Sequence, residues 1–332
     1  MLPYSVFISI LKNKHFQFVL LVLVGSYFIY LSVRNIQLAD LWLQIQSGNY
    51  WIALPIMCIS MVGYYFRSLR WKLILQNMDE QNTNLKSLYA SLSMGYAVNF
   101  ATPRLGEITR CFVLNKSAKT PIEKTIISVF IERVVDVICL ATIVGIASWL
   151  SIGVLDTFVT QQIFIPLQEA FLHKPWFVLL PVLFILFIIG YWLYKKLDSH
   201  AKFKLWINQL FQCISSVLLM KQKMLFLLYT LCIWLCYFFM TFLWFDVFTE
   251  TSHLGLREAF IIMAVGSVGR SVPVQGGGMG AYHFLVSNVF GLLGISSLLG
   301  NALAFVIHGT QMILTVFLGI IAWVWLLMNT EK

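Results

Sequence analysis

The chain has 332 residues, of which 59% are hydrophobic and only 11% are charged, and its formal net charge is +9. A soluble domain carries about 25% charged residues, so this composition excludes an ordinary soluble fold. It predicts an all-α polytopic membrane protein. The basic residues are scattered between apolar runs rather than gathered in a folded basic domain, so we expect no nucleic-acid partner.

Six apolar runs approach the ~20 residues that a helix needs to cross a hydrocarbon core. In chain order they lie at about 16–34, 49–66, 126–152, 175–194, 224–248 and 300–328. Two further segments, about 85–103 and 256–273, are apolar but interrupted by glycine, and each ends at a proline. The stretch 200–222 places lysines among apolar residues, which predicts an amphipathic helix on a membrane surface.

Lysine and arginine residues determine the predicted orientation. They concentrate before the first span, after the second, before the third and after the fourth. By the positive-inside rule these connections face the cytoplasm, so both termini are expected there, with the protein in the cell (inner) membrane. Arg67 and Arg70, after the second span, are interpreted as snorkelling anchors that reach headgroup phosphates.

The two interrupted segments resemble each other. Each opens with leucine and a basic residue, has a glycine near its middle and ends in Pro-x-x-Gly, over 85–106 and 256–276. Chance is one explanation, because glycine and proline are common in membrane helices. The other is a pair of re-entrant helices in two inverted halves, which is typical of a transport site near the midplane. We therefore expect one transmembrane domain over 1–332, with inverted halves at about 16–152 and 175–328.

Charged residues inside the apolar run 126–152 are candidate binding residues. A charge at a helix centre costs about 2.5–3.5 kcal/mol, so it should face protein or water. Glu132 and Asp136 share one helix face, and Arg133 can reach Asp136. These residues either form an ion-pair cluster that joins helices or contact a substrate.

A second set of charges follows Pro103. Arg104, Glu107 and Arg110 are spaced three apart, so Glu107 can bridge to either arginine if this element is helical. The two arginines are also explained as cytoplasmic anchors. A functional role is the alternative.

Three side chains and a glycine-rich stretch form the last candidate set. Arg270 breaks the positive-inside pattern on the outer side, which favours a functional role, whereas His308 is either a core histidine or a proton carrier. His283 follows a stretch whose backbone N–H groups could approach an anion; the alternative is a tight re-entrant turn with no ligand. The stretch consists of Gln275, Gly276, Gly277, Gly278, Met279 and Gly280. It lacks the Lys-Ser/Thr of a nucleotide site, and the chain has no His-Glu-x-x-His pair, so we expect no cofactor and no metal.

Three motifs in this order resemble the lysylphosphatidylglycerol synthase transmembrane family, the flippase-like domain also found in the multiple peptide resistance factor. They are Arg104-Leu105-Gly106-Glu107 with Arg110, Glu132-Arg133 with Asp136, and Gly266-Ser267 with Pro273 and Gly276 to Gly280. The resemblance covers nearly the whole chain. It implies inverted re-entrant helices around a central cavity and movement of lipids or lipid-linked sugars between leaflets. It places the first two motifs on the cytoplasmic side and the third on the outer side.

The chain departs from that family in two respects. The soluble aminoacyl-transferase domain of the two-part resistance factor is missing, so we do not expect lysyl transfer. Many relatives continue the final glycine with an Arg-Glu-like pair, where this chain has Ala281-Tyr282-His283. This difference leaves the substrate open.

The leading functional hypothesis is a lipid flippase or scramblase-like transporter, not an enzyme, in which Arg104, Arg110 and Arg270 pair the lipid phosphate. The carboxylates would balance these arginines or contact a cationic headgroup. The expected partner is an anionic phospholipid or a polyprenyl-phosphate-linked sugar, and a homo-oligomer is possible. One alternative is a lipid-binding subunit that presents lipid to a partner enzyme. A membrane-embedded lipid-modifying enzyme is disfavoured because the chain lacks hydrolase and protease motifs.

Overall fold

The computed structural model describes residues 14–80, 83–102, 105–151, 215, 217, 219–272 and 275–330. Within these ranges the secondary structure is helical and contains no β-strand, as predicted. One compact unit comprises Met1–Leu150 and Lys221–Lys332, and a second comprises Ser151–Met220. In the second unit the described residues between 215 and 220 include a turn in which Leu219 N donates to Ser215 O at 2.8 Å. The predicted span 175–194 lies outside the described residues, as does most of the predicted surface helix 200–222.

The helices of the first unit have the following bounds. They are α1 Lys14–Val33, α2 Leu38–Gln46, α3 Ala53–Asn77, α4 Leu85–Ala101, α5 Leu105–Ala118, α6 Ile122–Leu150, α7 Lys223–Leu243, α8 Leu256–Ser271, α9 Ala281–Leu292 and α10 Ser297–Thr330. Short 3₁₀ turns extend α3 at its start and α7 at its end.

In the described part of the chain, three helical segments are long and apolar enough to cross a membrane. They are Tyr50–Asn77, Lys223–Val247 and Ser297–Asn329. This result confirms the runs predicted at 49–66, 224–248 and 300–328 as spanning-length apolar helices. The runs predicted at 16–34 and 126–152 correspond to α1, with 20 residues, and α6, with 29.

The two glycine-interrupted segments form α4 and α8, and each is followed by a second short helix that packs against it. Their lengths are 17 and 14 residues for α4 and α5, and 16 and 12 for α8 and α9. At 1.5 Å per residue, each helix is about 18–26 Å long, shorter than a hydrocarbon core of ~30 Å.

Glycines allow both helix pairs to approach closely. A Cβ on Gly95 would lie 2.8 Å from the carbonyl oxygen of Gly106, so the backbones of α4 and α5 are in contact there. In the second pair, a Cβ on Gly269 would lie 2.8 Å from the Cα of Tyr282. Gly95 and Gly266, the mid-segment glycines of the sequence repeat, therefore both face the helix that follows, since Gly266 also lies against the Tyr282 ring.

The connections within the two pairs differ. In the first pair, the Asn99 side chain accepts a hydrogen bond from Gly106 N at 2.7 Å, which satisfies a free amide in the first turn of α5. In the second pair, Gly276, Gly277, Gly278 and Gly280 all have positive φ, between 64° and 89°. Glycine adopts this left-handed conformation without the steric cost that a Cβ imposes.

Helix α10 packs against both pairs. Gly319 lies against Ala97 of α4, and Gly300 lies against Phe290 of α9. The largest apolar core among the described residues surrounds this second contact and includes the fully buried Phe290 and Leu303. One long helix thus fixes the position of both short-helix pairs within the unit.

Candidate functional site

A buried carboxylate on α6 organises the first candidate site. Glu132 is fully buried, and guanidinium nitrogens from four arginines lie within 3.3 Å of its oxygens. The distances to Glu132 are 2.8 Å from Arg67, 3.3 Å from Arg70, 3.1 Å from Arg110 and 3.3 Å from Arg133. These arginines come from α3, α5 and α6, so the carboxylate joins three helices.

Asp136 lies one turn further along α6 and shares two of these partners. Arg70 Nη2 lies 2.7 Å from its Oδ1, and Arg67 Nη1 lies 3.1 Å from its Oδ2. Arg133 lies 3.9 Å from Asp136, at the i,i+3 spacing predicted from the sequence. All four oxygens of the two carboxylates therefore face a guanidinium group at 3.3 Å or less.

The interpretation of Arg67 and Arg70 as snorkelling anchors is wrong. Arg67 is 6% exposed and Arg70 is fully buried, and both point to the carboxylates of α6 rather than to a headgroup region. Arg67 Nε also donates to the Tyr237 hydroxyl at 2.8 Å. The i,i+3 spacing of the two arginines, matched to the i,i+4 carboxylates of another helix, is the one sequence signal that could have indicated this pairing.

The cluster carries more positive than negative charge. Among the described residues, four guanidinium groups face two carboxylates, an excess of two positive charges, and Arg133 is the only one of the four whose side chain is substantially exposed, at 36%. Several buried guanidinium nitrogens have no hydrogen-bond partner among the described residues. They are Nε and Nη1 of Arg70, Nε and Nη1 of Arg110, and Nε of Arg133. Arg110 Nη2 and Glu132 Oε2 form an ion pair at 3.1 Å without hydrogen-bond geometry. Buried donors without partners are costly, so this cluster has capacity for an anionic ligand.

A second site lies where α8, α9 and α10 meet the glycine turn, the segment Gly276 to Gly280, whose glycines have positive φ. The Arg270 guanidinium stands 5.0 Å from the Tyr282 ring centroid, and no carboxylate among the described residues pairs with it. Tyr282 stacks on His308 at 5.0 Å, and His283 lies 4.9 Å from His308. The buried His308 Nδ1 has no hydrogen-bond partner in the described part of the chain. A Cβ on Gly277 would lie 3.9 Å from His308 Nε2, so the turn closes over this group.

Polar and aromatic groups continue from the first site towards the second. The Arg67 guanidinium lies 5.9 Å from the Tyr96 ring, which lies 5.1 Å from the Tyr64 ring. The Tyr64 hydroxyl is 3.1 Å from the Thr315 hydroxyl on α10. Thr315 follows His308 by seven residues, which places both on one face of that helix.

The structure groups most of the candidate residues into these two sites. Arg110, Glu132, Arg133 and Asp136 form the first, and Arg270, His283, His308 and Gly276 to Gly280 form the second. The first site also contains Arg67, Arg70, Tyr96 and Tyr237, and the second contains Tyr282, none of which the sequence indicated as a binding residue.

Three candidate residues stand apart. Arg104 and the Gln275 side chain lie outside the described residues. Glu107 lies on a helix, as the bridging prediction required, but Arg110 pairs with Glu132 instead. The Glu107 carboxylate accepts a hydrogen bond from Asn99 Nδ2 at 3.1 Å.

These observations define an α-helical membrane protein with a buried arginine-rich cluster among its long and short helices. The chain belongs to the family described as the lysylphosphatidylglycerol synthase TM region, whose model matches residues 18–319. This match confirms the resemblance found in the sequence motifs, and the family is a membrane domain associated with lipid handling. Comparison with curated proteins and with solved structures found no match.

Proposed function

We propose that this protein moves a phosphate-bearing lipid between the two leaflets of the cell membrane, without chemically modifying it. The observation that carries the proposal is the buried excess of positive charge around Glu132 and Asp136. Uncompensated charge inside a membrane protein is costly, and it is typical of substrate or ion pathways. A lipid phosphate would supply the missing negative charge and fill the guanidinium donors.

The short helix pairs suggest how a headgroup could pass. In this proposal, α4–α5 and α8–α9 are re-entrant pairs of opposite orientation, the first entering from the cytoplasmic side and the second from outside. Their lengths of about 18–26 Å and their glycine-lined contacts support this placement. The headgroup would follow the polar interior while the acyl chains remain in lipid, and the two arginine sites would hold the phosphate at successive depths.

Transport is favoured over catalysis by the state of the carboxylates. An acid–base pair needs a carboxylate that is free to exchange a proton with its substrate. Glu132 and Asp136 are instead held by arginines on every oxygen, an arrangement suited to electrostatic positioning.

The proposal is tested with purified protein in liposomes that contain a phospholipid with a fluorescent acyl chain, using a membrane-impermeant quencher to measure leaflet exchange. Two arginines of α8 give a matched pair of variants. Arg270→Gln removes the guanidinium that has no carboxylate partner in the described chain. Arg257→Gln removes one whose hydrogen bonds to described residues both go to the Leu150 carbonyl, at 2.6 Å and 3.0 Å.

We expect wild-type protein to accelerate exchange over empty liposomes. Arg270→Gln should slow exchange roughly tenfold or more, because a charge-assisted hydrogen bond contributes about 1.5–3 kcal/mol. Arg257→Gln should stay within about twofold of wild type. If the folded wild-type protein binds these lipids but does not exchange them, the transport proposal fails and the subunit that presents lipid to an enzyme is the better description.

A further inference from the structure

We infer that the short helix α2, with the turn that follows it, is a membrane-interface anchor. In this inference α2 lies along the bilayer surface and contacts the headgroup and glycerol region of lipids through Leu38, Trp42 and Trp51. The anchor lies outside both candidate sites, and it does not depend on the proposed transport function.

The ends of the spanning-length helices fix the level of this segment. Tyr50–Asn77 begins directly after it, Lys223–Val247 ends beside it, and Ser297–Asn329 belongs to α10, against which α2 packs. The backbone N–H of Asn49 donates to the carbonyl oxygen of Val247 at 2.8 Å. If these three segments cross the membrane, α2 therefore lies where the hydrocarbon core meets the headgroups.

Both flanks of α2 lie at this level. Before the helix, the Ser32 hydroxyl donates to Asn301 Oδ1, one turn after the start of α10. After the helix, Asn49 bonds to the last residue of the spanning segment that ends at Val247. With nine residues α2 is about 14 Å long, much less than a hydrocarbon core of ~30 Å. A helix of this length that starts and ends near one level runs along the surface.

The helix has one side for the protein and another for its surroundings. Leu41 is buried in the largest apolar core among the described residues, and Ile45 packs against that core. Leu38 and Trp42, one helical turn apart, are instead 68% and 61% exposed, and Trp51 is 80% exposed. At the level set by the spanning segments, the medium that meets these side chains is the lipid interface.

The composition of the segment favours this region over an electrostatic contact with anionic lipid. Tryptophan is enriched at membrane–water interfaces, because its large apolar ring carries one N–H donor. Between the end of α1 and the start of the next span, the charged residues are Arg34 and Asp40, which cancel. Such a segment is held by apolar contact, in contrast to a lysine-rich surface helix. The orientation predicted from the sequence makes this the outer surface.

The test uses the full chain with fluorotryptophan incorporated, in nanodiscs of phosphatidylcholine. Fluorine resonances are assigned by their loss in Trp42→Phe and Trp51→Phe, which keep an apolar ring at each position. Relaxation is measured with lipids that carry a nitroxide at the headgroup or at the end of an acyl chain, and with a water-soluble gadolinium chelate. Trp244, which is 2% exposed and lies near the end of a span at the same surface, is the matched control, assigned through Trp244→Phe.

We expect the headgroup nitroxide to enhance the relaxation of Trp42 and Trp51 at least ~3-fold more than the acyl-end nitroxide does, because half a hydrocarbon core separates the two labels. The enhancement at both positions should also exceed that at Trp244. Replacing half of the phosphatidylcholine by phosphatidylglycerol should leave these values unchanged, since the segment has no net charge.

Each other outcome overturns part or all of the inference. A dominant effect of the water-soluble chelate would place α2 in water, and a dominant effect of the acyl-end nitroxide would place it inside the hydrocarbon core. If neither the lipid probes nor the chelate act on Trp42 and Trp51 more than on Trp244, protein covers the surface, as a second copy of the chain would. An enhancement that grows with phosphatidylglycerol would show that charge, and not apolar contact, holds the segment.

Discussion

Replacing Glu132 by glutamine should strongly destabilise the protein, although the change is nearly isosteric. The carboxylate is fully buried and lies within 3.3 Å of four guanidinium groups. The variant would leave four arginines facing Asp136 alone, raising the excess positive charge from two to three. Breaking a buried ion pair by removing one partner costs about 3–5 kcal/mol, a large part of a typical folding free energy of about 5–15 kcal/mol.

The assay is thermal unfolding of purified protein in detergent, followed by intrinsic fluorescence. Glu123→Gln is the matched control, because Glu123 lies in the first turn of the same helix, is exposed, and has no ion-pair partner among the described residues. Its effect should stay within about 0.5 kcal/mol. Glu132→Gln should instead lower the melting temperature markedly.

A double variant tests the cause. Removing Arg110 together with Glu132, as Glu132→Gln with Arg110→Gln, restores the original excess of two positive charges. The double variant should be more stable than the sum of the two single effects predicts, with a coupling of about 0.5–3 kcal/mol. Equal melting temperatures for Glu132→Gln and Glu123→Gln, or strict additivity in the double variant, would refute an electrostatic role for Glu132.

Two further predictions concern the α4–α5 pair. Gly106→Ala would place a Cβ against the Gly95 carbonyl and 2.6 Å from Asn99 Oδ1, so it should cost about 1–3 kcal/mol through overpacking. Gly145→Ala, whose Cβ would meet nothing within 4 Å, should be neutral or slightly stabilising, and equal melting temperatures for the two would contradict the close crossing. Asn99→Ala removes the acceptor for Gly106 N at 2.7 Å and should cost about 0.5–2 kcal/mol in the same assay. An unchanged melting temperature would show that this bond does not stabilise α5.

Local sequence patterns predicted much of the secondary structure. The runs at 49–66, 224–248 and 300–328 were predictable as long apolar helices, because apolar content over ~20 residues can be read from the local sequence alone. Helix α3 continues to Asn77, beyond the predicted end of the span at 66. Arg67 and Arg70 lie inside the helix because both are buried. A span predicted from hydropathy ends at such charges, because hydropathy does not show that another helix supplies buried carboxylates to pair with them.

The composition of the first site could be predicted only in part. The i,i+4 spacing of Glu132 and Asp136 placed both carboxylates on one face, which is a consequence of helix geometry alone. The partners Arg67 and Arg70 lie more than sixty residues away in sequence, and only tertiary packing of α3 against α6 brings them together. The pairing of Arg110 with Glu132, in place of Glu107, has the same origin.

The imbalance of charge among the described residues is the observation that supports a binding role for the cluster over a purely structural one. An ion-pair cluster that only held α3, α5 and α6 together would be cheapest with equal numbers of acids and bases, because each surplus buried charge costs several kcal/mol. Arg110 is the fourth guanidinium on Glu132: the other three contact Oε1, whereas Arg110 meets Oε2 at 3.1 Å in an ion pair without hydrogen-bond geometry. Apolar residues on the inner face of α5 would pack there without that cost. In the function proposed above, this surplus is balanced by a ligand that brings its own negative charge, the phosphate of a lipid.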